Sequence, residues 1–125
     1  METKVTNNRI LVVEDEPGVR ALINRILSRE GYDVVMAASG SEALETLAEL
    51  DDVDLVVSDI VMPGMKGTEM VRTMHENHPE LPILYVTGYP QEDNLTLGPN
   101  ERLLLKPFNQ RDLLSNVSDA LSKTV

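Results

Sequence analysis

Short apolar runs, rich in Val, Ile and Leu, alternate along this chain with stretches whose apolar positions recur at helical spacing. No other feature constrains the fold as much, because strands interleaved with crossover helices pair in parallel and carry helices on both faces of their sheet. RILVV (9–13) reads as a first strand, and Pro17 just after it suits the first position of a helix. Val19, Leu22, Ile23, Ile26 and Leu27 then follow at helical spacing, with Gly31 placed to end that helix. YDVVMAA (32–38) reads as the second strand. Ser39 and Glu42 have capping-box spacing, and Ala43, Leu44, Leu47 and Leu50 give the next helix its buried face. The third strand lies in VDLVVSD (53–59), and Met70, Val71 and Met74 mark the helix behind it. LPILYV (81–86) is a fourth strand and LLL (103–105) a short fifth. Asn109 and Asp112 open a last helix with Leu113, Leu114, Val117 and Leu121 on one face. The weak element lies between Tyr89 and Arg102, where Pro90, Gly98 and Pro99 leave room for about two helical turns.

At 125 residues the chain suits one domain with one core: an N-terminal extension over 1–8 and a single domain over 9–123. The composition narrows the function classes. A net charge of −10 argues against nucleic acid, whose phosphates need clustered Lys and Arg. The absence of cysteine excludes disulfides, thiol chemistry and Cys-zinc sites. METKVTNNRI carries no apolar signal core, and no run is long enough to cross a bilayer, so a cytoplasmic protein without membrane contact is expected. The chain ends at Val125 just after its last helix, so no output domain is expected.

In a parallel sheet all strand C-termini share one edge, where ligands bind. Here four apolar runs finish in a polar group: Glu14, Asp15 and Glu16 after the first, Asp59 after the third, Thr87 after the fourth and Lys106 after the fifth. Carboxylates brought within a few ångströms repel one another by up to about 4 kcal/mol per pair at an effective dielectric near 20. A hard divalent cation relieves that repulsion, and Mg²⁺ takes one or two carboxylates together with water and phosphate oxygens. Aspartate is also a covalent phosphoryl acceptor in other proteins. Phosphoryl transfer needs positioning and charge neutralisation above all, and Lys106 and the Thr87 hydroxyl suit contacts to phosphoryl oxygens.

RILVVEDE, VVSDIVMPGMKG, YVTGY and LLLKPF, in that order and across almost the whole chain, resemble the signature segments of response-regulator receiver domains. The resemblance implies a flavodoxin-like (βα)5 fold, a doubly wound parallel five-stranded sheet in the order 2-1-3-4-5. It makes Asp59 the phosphoacceptor for a histidine kinase or histidine phosphotransfer protein, with signalling by conformational change to a protein partner. Glu14, Asp15, Asp59 and the Val61 backbone carbonyl match the positions that hold Mg²⁺ or Mn²⁺. Thr87, Gly88 and Lys106 match those that contact the phosphoryl group and switch, and the Lys106–Pro107 peptide matches a cis-proline. No separate substrate turnover is implied, only self-catalysed phosphorylation and dephosphorylation.

Three departures stand out. Glu14 replaces the more usual Asp, the segment from Thr87 to Lys106 is short, and Leu103 stands where an aromatic side chain usually swings inward. The short segment is similar to that of receivers in hybrid histidine kinases.

Taken singly, a strand-end Asp is usually a cap or turn residue and Lys106 a surface lysine; only their joint placement points to function. Pro63, Gly64 and Gly67 read as turn chemistry, His75 and His78 as solvated residues at a helix end, and Met62 and Met65 as loop packing. A flavodoxin-type cofactor binder would need a phosphate-cradling loop where EDEP stands, and a haloacid-dehalogenase-like phosphatase a second Asp where Val61 stands. The remaining alternative is a receiver-shaped protein-binding scaffold that is never phosphorylated.

Overall fold

Residues 8–88 and 96–122 are described by the structure, a computed structural model. The apolar runs become strands β1 (Arg9–Val13), β2 (Asp33–Ala37), β3 (Leu55–Ser58), β4 (Ile83–Thr87) and β5 (Glu101–Leu105). The periodic stretches become helices α1 (Pro17–Arg29), α2 (Gly40–Glu49), α3 (Gly67–Asn77) and α4 (Gln110–Leu121). All strand pairs are parallel, in the order β2-β1-β3-β4-β5, which is the flavodoxin-like topology. The weak element expected between β4 and β5 falls largely on 89–95, outside the described residues.

The pleat divides the core in two, because successive side chains point to opposite faces. Leu11, Val13, Val56, Ile83 and Tyr85 pack with Ala43 and Leu47 of α2 and Met70, Val71 and Met74 of α3. Ile10, Val12, Val57, Leu84 and Val86 pack with Ile23, Ile26 and Leu27 of α1 and Leu113 and Val117 of α4. The central strands β1, β3 and β4 are buried nearly throughout, as expected of strands covered on both faces.

Local chemistry sets the helix boundaries. Pro17 is the first helical residue of α1, and Glu16 caps it by accepting from the Val19 N–H at 2.9 Å. Gly31 takes φ 104°, so its N–H reaches Ser28 O and that of Tyr32 reaches Leu27 O, closing the helix. Ser39 and Asn109 cap α2 and α4 through the N–H groups of Glu42 and Asp112. Glu42 reaches back to the Ala38 N–H at 2.7 Å, one residue beyond the usual capping-box partner.

Several expectations need correction. Leu22 is 41% exposed although it shares the helical period, because the apolar stripe of α1 is wider than the surface it covers. Tyr32 and Ala38 fall outside β2, and Leu81 and Pro82 precede β4. The fifth strand is five residues long and begins at the polar pair Glu101 and Arg102. As an edge strand, β5 tolerates these charges: Glu101 accepts from the Gly98 N–H at 2.8 Å, and Arg102 meets Asp119 of α4 at 3.5 Å. His75 is not simply solvated. Its Nε2 donates to Leu81 O at 3.0 Å, and its Nδ1 faces Glu101 Oε2 at 3.8 Å.

Candidate functional site

Each polar strand end is anchored through its backbone before its side chain is placed. The Glu14 N–H donates to Ala37 O at 3.1 Å, extending the β1–β2 ladder by one step. The Asp59 N–H donates to Val13 O at 3.1 Å, extending β3 along β1. The Lys106 N–H donates to Thr87 O at 2.9 Å, carrying β5 past the end of β4. Thr87 is itself fully buried at the last position of β4. The sheet thus brings residues far apart in sequence to a single edge.

Asp59 is 8% exposed, and both of its oxygens are engaged. Oδ1 accepts from the Ile60 N–H at 2.6 Å and the Val61 N–H at 3.3 Å, which holds the carboxylate against its own loop. Oδ2 accepts from Lys106 Nζ at 2.8 Å. The same ammonium donates to Glu14 Oε1 at 3.2 Å, and the Glu16 N–H donates to Glu14 Oε2 at 3.2 Å. Glu14 is 2% exposed. Burial pushes its carboxyl above the ordinary range, and the neighbouring Asp59 charge adds to that, against the pull of the Glu16 N–H and Lys106. For Lys106 burial acts to lower the pKa, but the hydrogen bond and charge of Asp59, then Glu14, outweigh it and raise it. The Lys106–Pro107 peptide is cis.

Glu14, Asp15 and Asp59 each offer a carboxylate oxygen within 4.8 Å of the others. The donors are all hard oxygens, with no imidazole or thiolate among them, a set that suits Mg²⁺ or Mn²⁺ better than softer metals. Three carboxylates against one ammonium leave a local charge of about −2, which a divalent ion balances. Beside them, Asp59, Val61, Gly88, Lys106, Pro107, Phe108, Val19 and Leu22 line a largely apolar cavity of about 610 Å³.

Two further residues shape the site without any sequence expectation pointing to them. Gly67, read as turn chemistry, opens α3 at a close approach to the acidic strand end. A β-carbon there would lie 2.1 Å from Asp59 O and 3.0 Å from Ile60 Cα, both backbone atoms. Gly64, with φ 84°, is the turn residue that the sequence suggests. Arg20, on α1, donates through one guanidinium nitrogen to Glu14 O at 2.8 Å and Asp15 O at 3.5 Å. Met62 and Met65 pack as expected, and Leu103 is half-buried against the cluster that contains Tyr85.

Comparison with known proteins agrees with the fold. Residues 10–118 match the family described as response regulator receiver domain. The chain is 42% identical over 118 residues to the sensor kinase CckA of Brucella abortus, covering 91% of this chain but only 12% of that protein. Among solved structures, the receiver domain from the hybrid histidine kinase CckA superposes with a TM-score of 0.82 at 33% identity, covering 92% of this chain and all of that one. The response regulator TrrA of Thermotoga maritima, in complex with Mg(2+)-BeF, gives a TM-score of 0.82 at 34% identity, covering 91% of this chain and 99% of that one.

Proposed function

This chain belongs to the response-regulator receiver domain family, and on that premise we propose that it takes a phosphoryl group from a partner's phosphohistidine onto Asp59. Mg²⁺ or Mn²⁺, held by Glu14, Asp15, Asp59 and the Val61 carbonyl, would neutralise charge on the phosphoryl oxygens. The observation that carries the reading is the convergence of three carboxylates and one lysine on the edge of a sheet, with Asp59 paired to Lys106 at 2.8 Å. Similarity to a regulator solved with Mg(2+)-BeF supports it as well.

In the transfer, an Asp59 oxygen forms a bond to phosphorus as the P–N bond of the phosphohistidine breaks, leaving imidazole on the donor and an acyl phosphate on Asp59. The Ile60 and Val61 N–H groups hold the carboxylate in one orientation, so little reorganisation precedes attack. Lys106, already paired with Asp59, turns to a phosphoryl oxygen and stabilises the added charge. Gly88 lines the same cavity and Thr87, the buried end of β4, precedes it, so the Thr87 hydroxyl and Gly88 would contact the remaining phosphoryl oxygens. Water later releases phosphate, so the protein turns over only its own modification. The partners are a histidine kinase or histidine phosphotransfer protein in the cytoplasm and a downstream protein that reads the change. Similarity to the CckA receiver favours a phosphorelay of the hybrid-kinase kind.

Incubation with a small-molecule phosphodonor and Mg²⁺ should add one phosphate to the wild type and none to Asp59→Asn, as read by intact mass. Equal labelling of both proteins would remove Asp59 from the role. Binding to a partner with no labelling of either protein would favour the unphosphorylated scaffold.

A further inference from the structure

Arg20 occupies a position where the helix itself gives no reason for a cation. It lies in the first turns of α1, three residues after Pro17, where the helix dipole disfavours positive charge. Its guanidinium is half-buried and turned back along the helix axis onto the loop between β1 and α1. There it donates to the backbone carbonyls of Glu14 at 2.8 Å and Asp15 at 3.5 Å, the two residues whose side chains form the acidic pair. The same loop is held at its other side by the Glu16 N–H, which donates to Glu14 Oε2, and by the Glu16 side chain, which caps α1. Arg20 therefore ties the start of the helix to the carbonyls of two successive acidic residues.

We infer that Arg20 is a positioning residue for the divalent cation: it fixes the backbone of Glu14 and Asp15 so that both carboxylates face Asp59. The inference rests on the functional reading above and adds to it a residue that touches neither metal nor phosphoryl group. Both contacts are made by one guanidinium nitrogen, which lies one bond further along its side chain than a lysine ammonium would, so the reach and not the charge alone brings the donor to these carbonyls. Groups that orient metal ligands in this way typically change metal affinity 10- to 100-fold when removed.

The test measures Mg²⁺ binding by isothermal titration calorimetry on the full chain, with far-ultraviolet circular dichroism confirming that each variant folds. Arg20→Gln should raise the Mg²⁺ Kd by roughly tenfold or more. Arg20→Lys, which keeps the charge but ends one bond short of the donating nitrogen, should remain impaired by at least about threefold. Arg25→Gln removes the same charge from the exposed side of α1 and should leave the Kd within about twofold of wild type. A second readout needs no metal: amide shifts of Asp15 and Glu16 in metal-free protein should move in Arg20→Gln and stay put in Arg25→Gln. Full rescue by Arg20→Lys, equal weakening by Arg25→Gln, or an unchanged Kd in Arg20→Gln would each overturn the positioning role. Wild type that binds no Mg²⁺ and accepts no phosphate would overturn the functional reading, and this inference with it.

Discussion

Lys106 Nζ lies 2.8 Å from Asp59 Oδ2 and shares its charge with Glu14 Oε1 at 3.2 Å. One cation thus serves two buried carboxylates, with a third, Asp15, within 4.8 Å of them. The pairing reduces the cost of burying these acids but leaves the cluster short of positive charge. Stability should therefore respond to pH, to divalent ions and to changes in the backbone that positions Asp59, each in a definite direction.

The response to pH follows from Glu14. Its folded pKa is raised above the ordinary value of 4.5, chiefly by burial. A raised folded pKa contributes stability that is fully present below the unfolded value and lost as pH climbs through the folded one. Metal-free protein should accordingly lose a part of its stability upwards from about pH 4.5, and Glu14→Gln should not lose that part. The stability difference between Glu14→Gln and wild type, from urea denaturation in chelator, should shift in favour of the variant as pH rises from about 4.5 towards 7. A flat or opposite trend would mean that ionising Glu14 costs the fold nothing.

Divalent ions should act in the other direction. At ten times its dissociation constant, a ligand that binds only the folded state adds about 1.4 kcal/mol. In a domain of this size that corresponds to roughly 4–8 °C in melting temperature. Asp15→Asn removes one of the three carboxylates and should show a smaller shift at equal Mg²⁺ and constant ionic strength. A wild-type melting temperature indifferent to Mg²⁺ would count against a metal site at Glu14, Asp15 and Asp59.

Gly67 offers a steric test of how tightly Asp59 is placed. A β-carbon at this residue meets only backbone, with Asp59 O at 2.1 Å, so no side chain can swing away to relieve it. Gly67→Ala should destabilise the protein by about 2–3 kcal/mol, in the range of overpacked cores. Its phosphorylation should also slow, because the strand end that carries Asp59 is what must move. Gly40→Ala is the milder comparison: its β-carbon would meet Met65 Sδ, Cβ and Cγ at 3.0–3.2 Å, a contact that a shift of a few tenths of an ångström relieves, and helix propensity favours Ala. That variant should stay within about 1 kcal/mol of wild type. Similar costs for both would show that the contact with Asp59 carries no special constraint.

These residues also mark where sequence reasoning succeeds and where it stops. Asp59 and Lys106 were legible only together: a charge ending one apolar run means little, but parallel topology sends every such end to one edge. Glu101 and Arg102 concealed the start of β5, since charges read as loop until Gly98 and Asp119 are seen to meet them. Arg20 was invisible because its partners are backbone carbonyls, which leave no trace in side-chain patterning. Gly67 looked like turn chemistry because a glycine needed for close approach is spelled the same as one needed for a left-handed turn. His75 was misread for a related reason: its partner Leu81 O is again a backbone atom.

The last prediction concerns how the site reports its state. Leu103 sits in the middle of β5, in register with Tyr85 of β4, and both pack on the side facing α3. It has no polar tip to exchange hydrogen bonds, and a ladder from Glu101 to Leu105 holds its backbone to β4. Lys106, by contrast, is one residue past that ladder and must change partners if a phosphoryl group joins Asp59. Gly88 lies against the stem of Lys106, close enough that a β-carbon on it would be 3.9 Å from Lys106 Cβ. Movement of the lysine should therefore reach Gly88 and the segment leading into β5 before it reaches Leu103. Binding of beryllofluoride with Mg²⁺ should shift the amide resonances of Gly88, Lys106 and residues 96–100 well beyond that of Leu103. Replacing Leu103 with Ala should lower stability by about 1–3 kcal/mol for a half-buried leucine, yet leave the pattern of beryllofluoride shifts intact. Shifts centred on Leu103 and α4, with Gly88 and 96–100 unchanged, would place the relay on the strand interior instead.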